Sequence, residues 1–244
     1  MKKLLVSIAV AGLCTLPLAG QAAAYKEVTV SNGGSVTGTV NFKGKDQPPK
    51  VYSITKDNDV CGTGKRSIDY VRVANGKLLD TVVYLDKVKQ GKPFPADLSD
   101  GKINQKGCEF KPFLQVMKNG SKVAAINQDP VLHNIHTYEI IGRTKKTVFN
   151  VSQPEPGTVT KTVKLKRGVA MKVECDAHDF MHGFVFVAKS PYFARVAEDG
   201  SFKIDNVPAG KYTVKVWHGT LKGDKAKVEV AAGGTAKVDF NIKK

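Results

Sequence analysis

The chain has 244 residues, with 38 Lys and Arg against 22 Asp and Glu, for a formal charge of +16. That length supports one large or two small domains with real cores. The positive charge is spread as single lysines between apolar residues, without stacking aromatics beside them. This argues against a nucleic-acid partner and for solvated strand faces that attract acidic proteins or anionic surfaces.

Lys2 and Lys3 precede an apolar run from Leu4 to Leu18, and Ala22, Ala23 and Ala24 follow. This is the layout of a secretory signal peptide over 1–24, which makes Tyr25 the first mature residue and the product exported, as to a periplasm. Gly12 and Pro17 interrupt the run, and no later segment is long enough for a spanning helix, so the mature chain is expected to carry no transmembrane segment. Cys14 falls in the removed part, behind Ala11, Gly12 and Leu13, a poor match to a lipid-attachment pattern. The removed part holds two lysines and no acid, so the charge falls to +14.

Three cysteines remain, Cys61, Cys108 and Cys175, an odd number for an oxidising compartment, with three pairings open. Pairing Cys61 with Cys108 leaves Cys175, which sits among histidines, as the thiolate for a metal.

Helical periodicity is almost absent. Short alternating runs recur instead, punctuated by Gly, Pro, Asn and Asp: SVTGTVNF (35–42), TVVYLDKV (81–88), VTKTVKLK (159–166), VAMKVEC (169–175), GFVFVAK (183–189) and KYTVKVW (211–217). This pattern predicts an all-β protein of sandwich type. Asp199-Gly200 and Ala209-Gly210 read as turns. Segment 89–103, polar and rich in Pro, Gly and Asp, reads as a loop.

The stretches ARVAEDGSFKIDNVPAGKYTVKVW (194–217) and VEVAAGGTAKVDFNI (228–242) resemble a carboxypeptidase regulatory-like or transthyretin-like sandwich of Ig type. Such modules usually open with a strand like GSVTGTVNFKG, here far upstream at 34–44, followed by one like LLDTVVYL at 78–85. The resemblance implies a split module, with 25–102 as its first part, 191–244 as its remainder and 103–190 inserted between them. Insertion is tolerated where chain ends lie close together at a surface. Cys61 and Cys108 would then staple insert to host, Tyr192 and Phe193 would pack at the junction, and Trp217 would be packed with His218 at the surface.

Four of the five histidines lie in HNIH (133–136) and AHDFMH (177–182). Alternation in VAMKVEC puts Met171, Val173 and Cys175 on one face, so the thiol points inward from a strand tip. His133 and His136, three apart, point to opposite faces of a regular strand, so only one of them reaches the same metal. Cys175, His178, His182 and His133 could also hold a tetrahedral zinc, with His182 as the alternative ligand.

C-x2-H-x2-M in CDAHDFM, together with HN in DPVLHNIH, resembles the cupredoxins, small blue-copper electron carriers, with an amicyanin-like ligand loop. The likeness covers about 103–190, including the entry stretch CEFKPFLQVMKNGSKVAAINQD, and implies a Greek-key β-sandwich. Carried over by residue, His133 and His178 would be imidazole ligands, Cys175 the thiolate and Met181 the axial thioether. Asn134 would brace the two ligand segments, and His136 would be a polar neighbour outside the ligand set. The resemblance implies one type 1 copper, suited by this donor set to single-electron transfer. Its partners would be exported redox proteins such as a c-type cytochrome or a dehydrogenase, with an acidic patch. His178 would give the exposed electron route. Four protein ligands leave no open position for a substrate, so no enzymatic activity is expected. Copper handling, or a zinc-stabilised binding module, is the competing reading.

Overall fold

The computed structural model describes residues 25–98 and 100–244; the expected signal peptide lies outside them. Among the described residues the regular structure is strand, apart from a helical turn at Asn58–Cys61 and a 3-10 turn at Ala96–Leu98. The all-β sandwich read from the alternating runs is what forms. No helix among these residues is long and apolar enough to cross a membrane.

One five-stranded sheet runs in the order Leu114–Lys118, His182–Ala188, Ala170–Glu174, His133–Ile141 and Thr144–Gln153. It faces a four-stranded sheet of Phe110–Lys111, Asp100–Gln105, Lys122–Asn127 and Gly157–Thr162. Ile103, Val123 and Ala125 from the second sheet meet Ile135, Met171, Val173 and Val185 from the first in one buried core.

The second sandwich is built by strands far apart in sequence. Gly34–Phe42 pairs antiparallel with Ser201–Val207 and parallel with Thr235–Lys237 and Phe240–Ile242. Thr81–Leu85 lies between Phe193–Arg195 and Gly210–His218. Val36, Val40, Val83, Ile204 and Val214 fill the space between the two sheets. Gly38 admits this closure: a Cβ there would sit 1.7 Å from the Val238 carbonyl oxygen.

The run GFVFVA explains how the sandwiches join. Val185 and Val187 enter the first core, whereas Phe184, Phe186 and Ala188 turn outward and pack with Val82 and Trp217 of the second sandwich. A continuous apolar run is the mark of a strand buried on both faces. The two sandwiches therefore meet sheet to sheet through this strand.

Two expectations are corrected. Segment 89–103 is not simply a loop: Asp100–Gln105 is a strand paired in parallel with Lys122–Asn127. Its buried face is Gly101, Ile103 and Gln105, and the Gln105 Nε2 donates to Gln153 Oε1 at 2.7 Å. A buried glutamine and glycine carry no apolar alternation, so the pattern concealed the strand.

His218 is not at the surface; it is 5% exposed, and its Nδ1 accepts the backbone N–H groups of Thr220 and Leu221, both at 3.2 Å. Burial pushes its pKa down to about 4, against a weak opposing pull from Asp80. A folded-state pKa below the unfolded value of about 6.5 means that stability is full above pH 6.5 and falls as the pH drops towards 4. The total loss is about 3 kcal/mol. Urea midpoints of wild type and His218→Gln at pH 7 and 4.5 are expected to show a steeper acid loss in the wild type.

Candidate metal centre

The thiol strand Ala170–Glu174 ends with Cys175 buried in the first core, and the adjacent strand begins at His133. The register pairs His136 with Glu174, so His133 reaches past the end of the thiol strand. The loop between turns tightly: the Met181 N–H donates to the His178 carbonyl at 3.0 Å, and the Cys175 N–H to the Met181 carbonyl at 3.3 Å. His133, Cys175, His178 and Met181 are thereby gathered in one buried region.

His133 Nδ1 and His178 Nδ1 are 3.3 Å apart, and Cys175 Sγ is 3.7 Å from His178 Nδ1. One donor atom from each of the three residues lies within 4.8 Å of the other two. Bonds of about 2.0 Å to nitrogen and 2.3 Å to sulfur around one ion give N–N edges of about 3.4 Å and N–S edges of about 3.7 Å. The donor set therefore fits a metal ion. Met181 is fully buried in the core cluster that contains Cys175.

Both imidazoles are oriented from behind by carboxylates. Asp129 Oδ2 accepts from His133 Nε2 at 2.8 Å, and Asp57 Oδ2 accepts from His178 Nε2 at 2.8 Å. A carboxylate can only accept, so each Nε2 carries the proton and each Nδ1 is left with a lone pair for the shared point. Burial alone would raise the Asp129 pKa, but the N–H of Cys108, His133 and the N–H of Gly107 hold it below the usual carboxylate range. Burial pushes His178 down in spite of Asp57. Burial also pushes the Cys175 thiol up, opposed by backbone hydrogen bonds from Asn134, Ala177 and His178.

Asn134 bridges the segments: its N–H donates to Cys175 Sγ at 3.3 Å, and its Oδ1 accepts the Asp176 N–H at 3.2 Å. His136 lies on the opposite strand face, stacked on Tyr138 at 4.0 Å and bonded to Asp176 at 3.1 Å. His182 is outside the cluster. Its Nε2 donates to the Asp179 carbonyl at 2.6 Å, and its ring packs against Tyr52 and Tyr70. The four-ligand zinc set with His182 is thus not assembled, because His182 begins a strand and faces the junction of the sandwiches.

The exposed route through His178 is also corrected. The side chain is 1% exposed and lies beneath a hairpin of Lys50–Ser53 and Lys65–Ile68, whose connection carries Asp57. Cys61 is disulfide-bonded to Cys108, which ties this hairpin to the first sandwich and leaves Cys175 free. Arg66 donates to the carbonyls of Gly107 and Cys108 across the same join, and to the Cys61 carbonyl within the hairpin. Asp57 and Asp129 were not legible as site residues. Asp129 stands four residues before His133, a usable signal, whereas Asp57 lies 121 residues from His178.

A family model described as polysaccharide lyase family 4, domain II, matches residues 169–238. That is not the regulatory-like or transthyretin-like module expected from 194–217. No curated protein matches the chain. Among solved structures, a purple cupredoxin from Nitrosopumilus maritimus is 19% identical with a TM-score of 0.31, covering 36% of this chain and all of its own. Amicyanin from Paracoccus versutus is 18% identical with a TM-score of 0.31, covering 43% of this chain and 97% of its own. Reduced auracyanin from Roseiflexus castenholzii is 15% identical with a TM-score of 0.31, covering 37% and 97%.

Proposed function

We propose that the protein is an exported type 1 copper protein that passes single electrons between redox partners and is not an enzyme. The observation that carries this reading is the convergence of His133 Nδ1, His178 Nδ1 and Cys175 Sγ at spacings that suit one ion, beside the buried Met181. Bound copper would supply a one-electron couple. A thiolate and a thioether favour the cuprous state, and imidazoles serve both states. Asn134, Asp57 and Asp129 hold the donors still, which lowers the cost of reorganisation between oxidation states.

The basic chain suits an acidic redox partner such as a c-type cytochrome or a dehydrogenase. The same reading takes 103–190 as the copper-bearing unit, set into a host formed by 25–102 and 191–244, with an N-terminal signal peptide directing export. One equivalent of Cu(II) added to the purified protein is expected to give an intense visible band that bleaches reversibly on one-electron reduction. A colourless complex, or preferential uptake of zinc, would count against the reading. Rapid loss of copper to a chelator would favour copper handling instead.

A further inference from the structure

The hairpin over the imidazole edge belongs to neither sandwich sheet. Among the described residues its strands Lys50–Ser53 and Lys65–Ile68 pair only with each other, and an isolated two-stranded hairpin is marginal in water. The hairpin is held down by the Cys61–Cys108 disulfide, the contacts of Arg66 with the carbonyls of Gly107 and Cys108, the Asp57–His178 hydrogen bond and the packing of Tyr52, Ile54 and Val60 on the first core. Sulfur atoms of both cysteines lie within 4.8 Å of a His178 ring nitrogen. Asp57 has φ of 50°, a left-handed conformation that aspartate tolerates better than most residues. Its side chain stays 36% exposed while the imidazole beneath it is closed off.

Resting on the copper reading, we infer that Asp57 is a positioning residue of the metal centre, and that its hairpin is a fixed cover sealing the His178 edge from solvent and from a docked partner. Asp57 does two separable things. It accepts the Nε2 proton, which fixes the ring with Nδ1 turned toward Cys175 and His133. It also places a negative charge one imidazole away from the ion, which favours the cupric state over the cuprous one.

Two variants of the full-length, copper-loaded protein separate these roles. Asp57→Asn keeps an oxygen acceptor and removes the charge; it is expected to retain the visible band and raise the reduction potential. Asp57→Gly removes the acceptor yet suits a positive φ. It is expected to lose about tenfold to hundredfold in copper affinity, the usual cost of removing a ligand's hydrogen-bond partner, and to shift the band. Restored affinity in Asp57→Asn relative to Asp57→Gly would tie the effect to the hydrogen bond rather than to folding. An unchanged potential in the first variant together with unchanged affinity in the second would overturn the inference. A wild type that gives no visible copper band would instead sink the carrier reading before the variants are compared.

Discussion

On the proposed copper reading, Cys175→Ala is expected to abolish the visible copper band and to lower copper affinity by at least about a hundredfold, since even an outer partner of a ligand can bring losses of that size. The sulfur is the one soft anionic donor in the cluster, and on that reading the band would arise from charge transfer from thiolate to copper. Its loss leaves two imidazoles and a thioether, and orphans the Asn134 N–H that points at Sγ from 3.3 Å. The apo fold should survive, with a stability loss of about 1 kcal/mol, typical of a single substitution. Copper titration by absorbance, with circular dichroism of the apo variant as the folding control, checks both parts. A variant that keeps the band would remove Cys175 from the centre.

Loss of the disulfide in Cys61→Ser/Cys108→Ser destabilises the protein by about 4 kcal/mol, from the chain entropy of the loop it closes. The two cysteines are 47 residues apart in sequence. The loop holds the split between the sandwiches: Cys61 sits in the cover hairpin, and Cys108 precedes the strand Phe110–Lys111 of the first sandwich. Urea unfolding of the apo protein measures the loss. The copper-loaded variant should also release copper to a chelator faster than wild type, because the hairpin carrying Asp57 then loses its one covalent tie and is held by the contacts of Arg66, the Asp57–His178 hydrogen bond and the packing of Tyr52, Ile54 and Val60. Equal urea midpoints would mean that the folded contacts around Arg66 dominate this join.

The strand runs of this protein were readable because each half-buried strand repeats every two residues, and the chain states that period locally. VAMKVEC announced an inward thiol, and the core indeed receives Met171, Val173 and Cys175. The spacing of three between His133 and His136 likewise put one ring inside and the other on the outer face. DGKINQ failed by the same logic, since its inward positions are a glycine, an isoleucine and a hydrogen-bonded glutamine, and a period in hydrophobicity cannot register them. His218 was misread because nothing beside it in sequence reveals that two backbone N–H groups from its own turn close on the ring and bury it.

What the amino-acid order determined alone was the strand content, the inward thiol and a short list of soft donors within 133–182. Only the tertiary structure decided which second partners those donors meet. Asp57 comes to His178 from 121 residues upstream, and His182, one residue after Met181, turns away to Tyr52 and Tyr70. The physical reason is that periodicity is a local property of backbone geometry, whereas a hydrogen bond between distant segments depends on how sheets and hairpins close on one another, which no short window of sequence encodes.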